Sequence, residues 1–144
     1  MGFKDLRSFL AKLEQEKQLV HYRDLIQPSP DIGRISRAVS NMGHNGPAVI
    51  FDNIAGYKGK KLVVGVHASW ANHALSFDLP KETKIREQFF AVSEKWDKYP
   101  GEVTYIDSNK APCHEVVYDK NINLYELLPL YRINNLDGGC YLSK

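Results

Sequence analysis

Apolar residues recur near the start of the chain at helical spacing. Phe3, Leu6, Leu10 and Leu13 lie three or four residues apart, with Lys4, Asp5, Arg7, Lys12, Glu14 and Glu16 on the other faces, which predicts an amphipathic helix. Burying those four side chains is worth about 1.5 to 3 kcal/mol each before ordering entropy is subtracted, more than isolated helix propensity supplies. The helix therefore needs a surface, and Leu6, Leu10 and Leu13 are expected to dock it. Leu19-Val20-His21-Tyr22-Arg23 predicts an edge strand, halted by Pro28 and Pro30, which hold the residues before them extended. Asp31 is placed to help start a second helix with Ile32, Ile35 and Val39 as its apolar stripe; Gly33 weakens it by about 1 kcal/mol of propensity.

Beyond the breaker Gly43-His44-Asn45-Gly46-Pro47, the continuous apolar run Ala48-Val49-Ile50-Phe51 predicts a central strand. A loop with Gly56 and Gly59 around Tyr57 leads to a second buried strand over 61–66, expected to pair with the first. A short helix over 70–79 and a longer one over 81–96 follow, the latter with Ile85, Phe89, Val92 and Trp96 on one face and Pro100-Gly101 as its stop. Val103–Ile106 and Cys113–Tyr118 predict two further strands around a polar turn at 107–110. The expected fold is α+β, a mixed sheet flanked by helices.

Residues 1–118 are expected to form this domain, and 119–144 a linker and the first segment of another. Leu124, Leu127, Leu128, Leu130 and Tyr131 are apolar and need a surface, so the tail is expected to pack poorly on its own domain or to be held by a partner chain. At its end, Gly138 and Gly139 permit positive φ or close approach to another group, and Tyr141-Leu142 reads as the first step of a strand.

At 144 residues, 43% hydrophobic and 25% charged, the chain is long enough for one core and has an ordinary globular balance. Lys and Arg number 19 against 17 Asp and Glu, too small an excess to point to a nucleic-acid partner. No apolar run approaches the roughly 18 residues needed to cross a bilayer, and the first residues lack a signal peptide's apolar core. The expected location is therefore cytoplasmic, with Cys113 and Cys140 as small, mostly buried thiols.

Catalytic spacings are sparse. His67 and His73 are six apart, which puts them on different helical faces, and Cys113 and His114, as strand neighbours, point to opposite faces. Neither HExxH, paired CxxC nor a phosphate loop occurs. Trp70, Phe77, Phe89, Phe90, Trp96 and Tyr99 read as core aromatics rather than a ligand pocket. Glu14, Glu16, Glu82, Glu87, Glu94 and Glu102 stand in polar surroundings that do not tune a carboxyl for acid–base work.

Several segments, taken in order, resemble the amino-terminal region of the UbiD family of prenylated-flavin-dependent decarboxylases. They are Asp5-Leu6-Arg7-Ser8-Phe9-Leu10 with Leu13-Glu14, Leu19-Val20, Asp31-Ile32-Gly33-Arg34-Ile35, and Gly46-Pro47 through Asp52-Asn53-Ile54 with Gly56-Tyr57. Val64-Gly65-Val66, Ala111-Pro112-Cys113-His114-Glu115-Val116-Val117, Asn123-Leu124, Leu127-Leu128-Pro129 and Asp137-Gly138-Gly139-Cys140-Tyr141 continue the series. Each is common alone; their order over nearly the whole chain makes the resemblance. Tyr131 through Gly139 leans toward the branch acting on hydroxybenzoate-like phenolic acids.

The resemblance implies a carboxy-lyase that removes CO2 non-oxidatively and reversibly from aromatic or α,β-unsaturated acids. Prenylated FMN would act as its electron sink, with Mn2+ and K+ at the flavin phosphate and a Glu-Arg-Glu proton relay. It also implies a homo-oligomer and a flavin prenyltransferase that supplies the cofactor. Family members are about three times longer, with their metal-binding Asn, His and Glu and their catalytic Arg and Glu after the Asp-Gly-Gly segment. No catalytic or metal-binding residue is therefore assigned here, and the chain alone is expected to be inactive. Asp137, Gly138, Gly139 and Tyr141 would border the site at the entry to a flavin-binding split β-barrel absent from this chain. The alternative is a free-standing, non-enzymatic α+β binding or interaction domain.

Overall fold

Helix α1 (Leu6–Gln15) starts where its side chains can close a capping box. Oδ1 of Asp5 accepts from the Ser8 amide at 2.7 Å, and Oγ of Ser8 accepts from the Asp5 amide at 3.2 Å, satisfying two amides that the first turn leaves unpaired. In this computed structural model, which describes residues 2–98 and 103–141, strand β1 (Leu19–Tyr22) follows directly. A turn over Pro28–Ile32 enters α2 (Gly33–Asn41), which crosses over to β2 (Ala48–Phe51), parallel to β1 in the register Leu19↔Ala48 to Tyr22↔Phe51. Strand β3 (Leu62–Val64) pairs antiparallel on the other side of β2, as Val49↔Val64 and Phe51↔Leu62. The sheet is thus mixed, in the order β1-β2-β3, and the fold is α+β.

All four residues of β2 are buried, and alternation along the strand sends Ala48 to one cluster and Val49 and Phe51 to another. Val49 and Phe51 pack with Ile32 and Val39 of the α2 layer, whereas Ala48 packs with Phe9 and Leu13 of α1 and with Leu75 of α3 (Trp70–Ser76). Docking of α1 differs from expectation. Leu13 is fully buried and Phe9 nearly so, Leu10 is half-buried, and Leu6 faces solvent and joins neither core cluster.

Helix α4 (Ile85–Lys98) is joined to α3 by a polar anchor. The buried Gln88 donates from Nε2 to the carbonyls of Trp70 at 3.0 Å and Thr83 at 2.7 Å, and its Oε1 lies 2.9 Å from Nδ1 of His73. The aromatics expected in the core are mostly outside it: Phe89, Phe90 and Trp96 are exposed, Trp70 keeps 38% of its surface free, and Phe77 is half-buried. Helical periodicity identifies a face but not what covers it. Tyr99, Pro100-Gly101, Glu102 and Leu142 lie outside the described residues.

The strands expected at 103–106 and 113–118 do not form. Short 3-10 turns at Ser108–Lys110 and Pro112–His114 interrupt the region, and Val103, Tyr105, Ile106, Val116, Val117 and Tyr118 are exposed. β-Propensity is realised only against a neighbouring strand, and none of the described strands reaches this region. Cys113 is accordingly exposed rather than buried, and Cys140 is half-buried.

The tail is better anchored than its composition suggests. After α5 (Leu124–Leu127), Lys60 Nζ donates to the carbonyls of Glu126 at 2.8 Å and Leu127 at 2.6 Å, Pro129 is buried, and Tyr131 enters the α2-side core.

Candidate functional site

From Tyr131 the chain makes a closed loop that holds every residue expected to border a site. The Tyr141 amide donates to the Tyr131 carbonyl at 3.2 Å, forming an isolated antiparallel bridge. Inside it, the Asp137 amide donates to the Asn134 carbonyl at 3.2 Å, and Oδ2 of Asp137 accepts from the Asn134 amide at 2.8 Å. Asp137 is thus a turn-forming carboxylate, a use of Asp that its local backbone chemistry favours. Gly138 and Gly139 are not among the described glycines with positive φ, and a Cβ added to either would meet nothing within 4 Å. Within this chain, neither steric reason for the glycine pair operates. Tyr141 is exposed, with 45% of its surface free.

A recess of about 300 Å³ opens beside this loop, between the first turn of α2 and residues 132–135. Arg34 and Arg37, three apart and so on one helical face, line it together with Arg132. Oδ1 of Asn134 accepts from the Arg37 guanidinium at 2.5 Å, while Nδ2 of Asn134 points to the Asp137 carboxylate, 3.3 Å from Oδ1. The two walls are in contact because the wall residue on α2 is Gly33: a Cβ there would lie 2.5 Å from the Arg132 carbonyl oxygen and 2.9 Å from that of Ile133. None of the three arginines was apparent as a group in the sequence. The i,i+3 pair was visible, but the third member comes from almost a hundred residues away.

A second polar cluster sits where α1, β1, β2 and β3 meet. His21 Nδ1 lies 2.7 Å from Oδ2 of Asp52 and its Nε2 lies 3.4 Å from Oε1 of Glu14, while Lys61 Nζ lies 2.6 Å from Oδ1 of Asp52. Hydrogen bonding from Lys61, and then from His21, holds the Asp52 carboxyl below its ordinary value. Of the acids read as solvated from sequence, Glu14, Glu82, Glu87 and Glu94 are exposed, whereas Glu16 is half-buried and its carboxyl is lowered by Lys12 and Lys81.

Among the described residues, no group of three or more His, Cys, Asp or Glu side chains is placed to hold a metal ion. His73 is engaged with Gln88, His67 stacks at 5.5 Å on Phe9, and His114 Nδ1 lies 2.9 Å from the Ser108 carbonyl. The described residues therefore do not fit a flavin-phosphate metal. No helix among the described residues is long and apolar enough to cross a membrane.

The family model for the 3-octaprenyl-4-hydroxybenzoate carboxy-lyase N-terminal domain, of the UbiD family, matches residues 10–92, more than half of the chain. The chain belongs to the UbiD family. It is 50% identical over 142 residues to a phenolic acid decarboxylase of Sedimentibacter hydroxybenzoicus, covering 99% of this chain and 29% of that protein. It superposes with a TM-score of 0.89 and 48% identity on the vanillic acid decarboxylase of the same organism in its open form, over 97% of this chain and 30% of that one. The UbiD-class enzyme HmfF of Pelotomaculum thermopropionicum, in complex with prFMN, shares the fold at a TM-score of 0.70 and 21% identity, over 92% of this chain and 28% of that one. This UbiD-family chain thus spans less than a third of the length of the relatives it matches, and its α+β fold is that of their amino-terminal part.

Proposed function

We propose that this chain serves as the amino-terminal region of a non-oxidative, reversible decarboxylase of phenolic, hydroxybenzoate-like acids, working with prenylated FMN. The observation that carries this reading is 48% identity at a TM-score of 0.89 over 97% of the chain with a vanillic acid decarboxylase. The cofactor, when bound, supplies the electron sink for loss of CO2. Because the described residues offer no ligand set for the flavin-phosphate metal, no catalytic step is assigned to them, and in this reading the flavin with its Mn2+ and K+ is held by the flavin-binding part of the enzyme. The role of this chain is to pack beside the flavin-binding part, with Asp137, Gly138, Gly139 and Tyr141 bordering the cleft. In this reading residues 1–118 are the packing domain and 119–144 lead into the flavin-binding part. The enzyme is a cytoplasmic homo-oligomer supplied with cofactor by a flavin prenyltransferase.

The test is a chimera in which this chain replaces the matching segment of the Sedimentibacter phenolic acid decarboxylase. Loaded with prenylated FMN and manganese, the chimera is expected to release CO2 from vanillate or 4-hydroxybenzoate, and this chain alone is not. A chimera that folds and retains flavin but is inactive on a panel of phenolic acids would favour a non-enzymatic interaction domain. Turnover by the isolated chain would overturn the placement of the active site.

A further inference from the structure

Between α4 and α5 the chain carries two apolar runs that its own fold does not cover. Every residue of 103–106 and 116–118 is exposed, Val103 to 81% and Tyr105 to 93%. Among the described residues, no backbone hydrogen bond reaches either run. The connection between them is ordered by contrast. The Lys110 amide donates to the Asp107 carbonyl at 2.9 Å, the His114 amide donates to the Ala111 carbonyl at 2.9 Å, and His114 Nδ1 lies 2.9 Å from the Ser108 carbonyl. Two uncovered arms thus leave one hydrogen-bonded connector. Val, Thr, Tyr and Ile are strand-forming residues, and on a strand alternate side chains face opposite ways. Val103 and Tyr105 would then oppose Ile106, and Val116 and Tyr118 would oppose Val117, so each arm is apolar on both faces. Strands of that kind are covered on two sides when they form.

We infer that residues 103–118 are the segment through which this chain joins the flavin-binding part of the decarboxylase, each arm adding as a strand to a sheet of that part. Strand addition uses what the arms hold unspent: main-chain amides and carbonyls supply hydrogen bonds, and alternate apolar side chains fill pockets on either face. The inference rests on the reading of this chain as the amino-terminal region of a longer enzyme, and it names where that region packs. Chain length favours this occupant over a second copy. The superposition on the vanillic acid decarboxylase covers 97% of this chain, which leaves out too few residues to exclude the segment, but only 30% of that enzyme. The arms therefore share the path of a chain whose larger part lies elsewhere and is available to cover them. A second copy offers free sheet edges only at β1 and β3, strands of four and three residues.

The test is hydrogen–deuterium exchange in the isolated 144-residue chain and in the decarboxylase chimera described above. Amides of 103–106 and 116–118 are expected to exchange within about tenfold of the unstructured rate in the isolated chain, and at least about a hundredfold slower in the chimera. Val116→Pro and Val117→Pro remove adjacent amide donors, which point to opposite edges of a strand. Both variants should melt like the unsubstituted isolated chain, whereas at least one should lose the protection in the chimera. The inference is overturned if these amides exchange equally fast in a folded chimera, if both proline variants keep full protection there, or if either destabilises the isolated chain. Protection in the isolated chain that rises with its concentration also overturns it, and assigns the arms to a second copy. Should the chimera not fold, the matching amides of the Sedimentibacter enzyme decide in the same way, and free exchange there overturns the inference. Turnover is read separately: a folded chimera with protected arms and no CO2 release counts against the decarboxylase reading alone, and CO2 release with unprotected arms counts against this inference alone.

Discussion

His21 and Asp52 face each other across the parallel strands β1 and β2, with Nδ1 of the ring 2.7 Å from Oδ2 of the carboxylate. Their register neighbours Tyr22 and Phe51 are Cα partners, so the pair sits where the sheet's first parallel ladder ends. Lys61 at 2.6 Å and Glu14 at 3.4 Å extend the contact to β3's leading edge and to α1, tying four elements together through polar side chains.

Acid should loosen this junction. The Asp52 carboxyl is held below its ordinary value of 3.8 by Lys61 and then His21, so the folded state binds the proton less readily than the unfolded chain. Its stabilisation is present above the ordinary value and is lost as the pH falls through the depressed folded one. Asp52→Asn is expected to cost about 1.5 to 3 kcal/mol at pH 7, the range for hydrogen bonds to a charged group. The gap between variant and parent in urea melts should narrow as the pH is lowered from 5 toward 3. A gap unchanged across that range would show that the carboxylate's charge is not what stabilises the junction.

Much of this architecture was legible from residue spacing. The run Ala48–Phe51 announced a central strand, and its pairing with the strand that includes Leu62–Val64 followed from two short buried runs joined by a glycine loop. What periodicity could not supply was the partner. Val103–Ile106 has strand propensity and, among the described residues, no strand beside it, and Phe89 and Trp96 of the apolar stripe on α4 are left exposed. The Asp52 junction and the arginine recess were hidden for a related reason. Each joins residues far apart in sequence, 31 positions for His21 and Asp52 and 97 for Arg37 and Asn134, and only the fold sets such distances.

Docking of α1 rests on Leu13 and Phe9 rather than on the first turn. Leu13→Ala is expected to cost about 2 to 5 kcal/mol, the range for truncating a well-buried leucine. Leu6, with 54% of its surface exposed, should cost less than about 0.5 kcal/mol as Leu6→Ala. Equal losses for the two in denaturant melts would mean that the helix is rotated from the face described.

Gly33→Ala sets two effects against each other. Alanine favours a helix over glycine by about 1 kcal/mol, and Gly33 adopts no unusual backbone angle, with φ −61°. Against that, its Cβ would stand 2.5 Å from a backbone oxygen, and moving α2 away from 131–133 disturbs the packing of Tyr131 in the core. Overpacking of this kind costs about 1 to 3 kcal/mol, so net destabilisation is expected. A more stable variant in urea would show that the two walls separate without strain.

The outer face of α4 makes the sharpest connection between this chain and the relatives that are three times its length. Ile85, Phe89 and Trp96 share a face at helical spacing, and Trp96 has 82% of its surface exposed. Phe77, Val92 and Trp96 also wall a cleft of about 720 Å³ between α3 and α4. Large apolar side chains exposed on one helix face are what a packing partner would cover, and in the proposed full-length decarboxylase that partner is the flavin-binding part. In the isolated chain, Trp96 emission should be red-shifted and readily quenched by iodide, and Trp96→Gln should change stability by less than about 0.5 kcal/mol. In the decarboxylase chimera the same tryptophan is expected to be shielded, with blue-shifted emission and weaker quenching. Because Trp70 also emits, the comparison is made in a Trp70→Phe background. Identical quenching in the isolated chain and in an active chimera would mean that this face is not the one that meets the flavin-binding part.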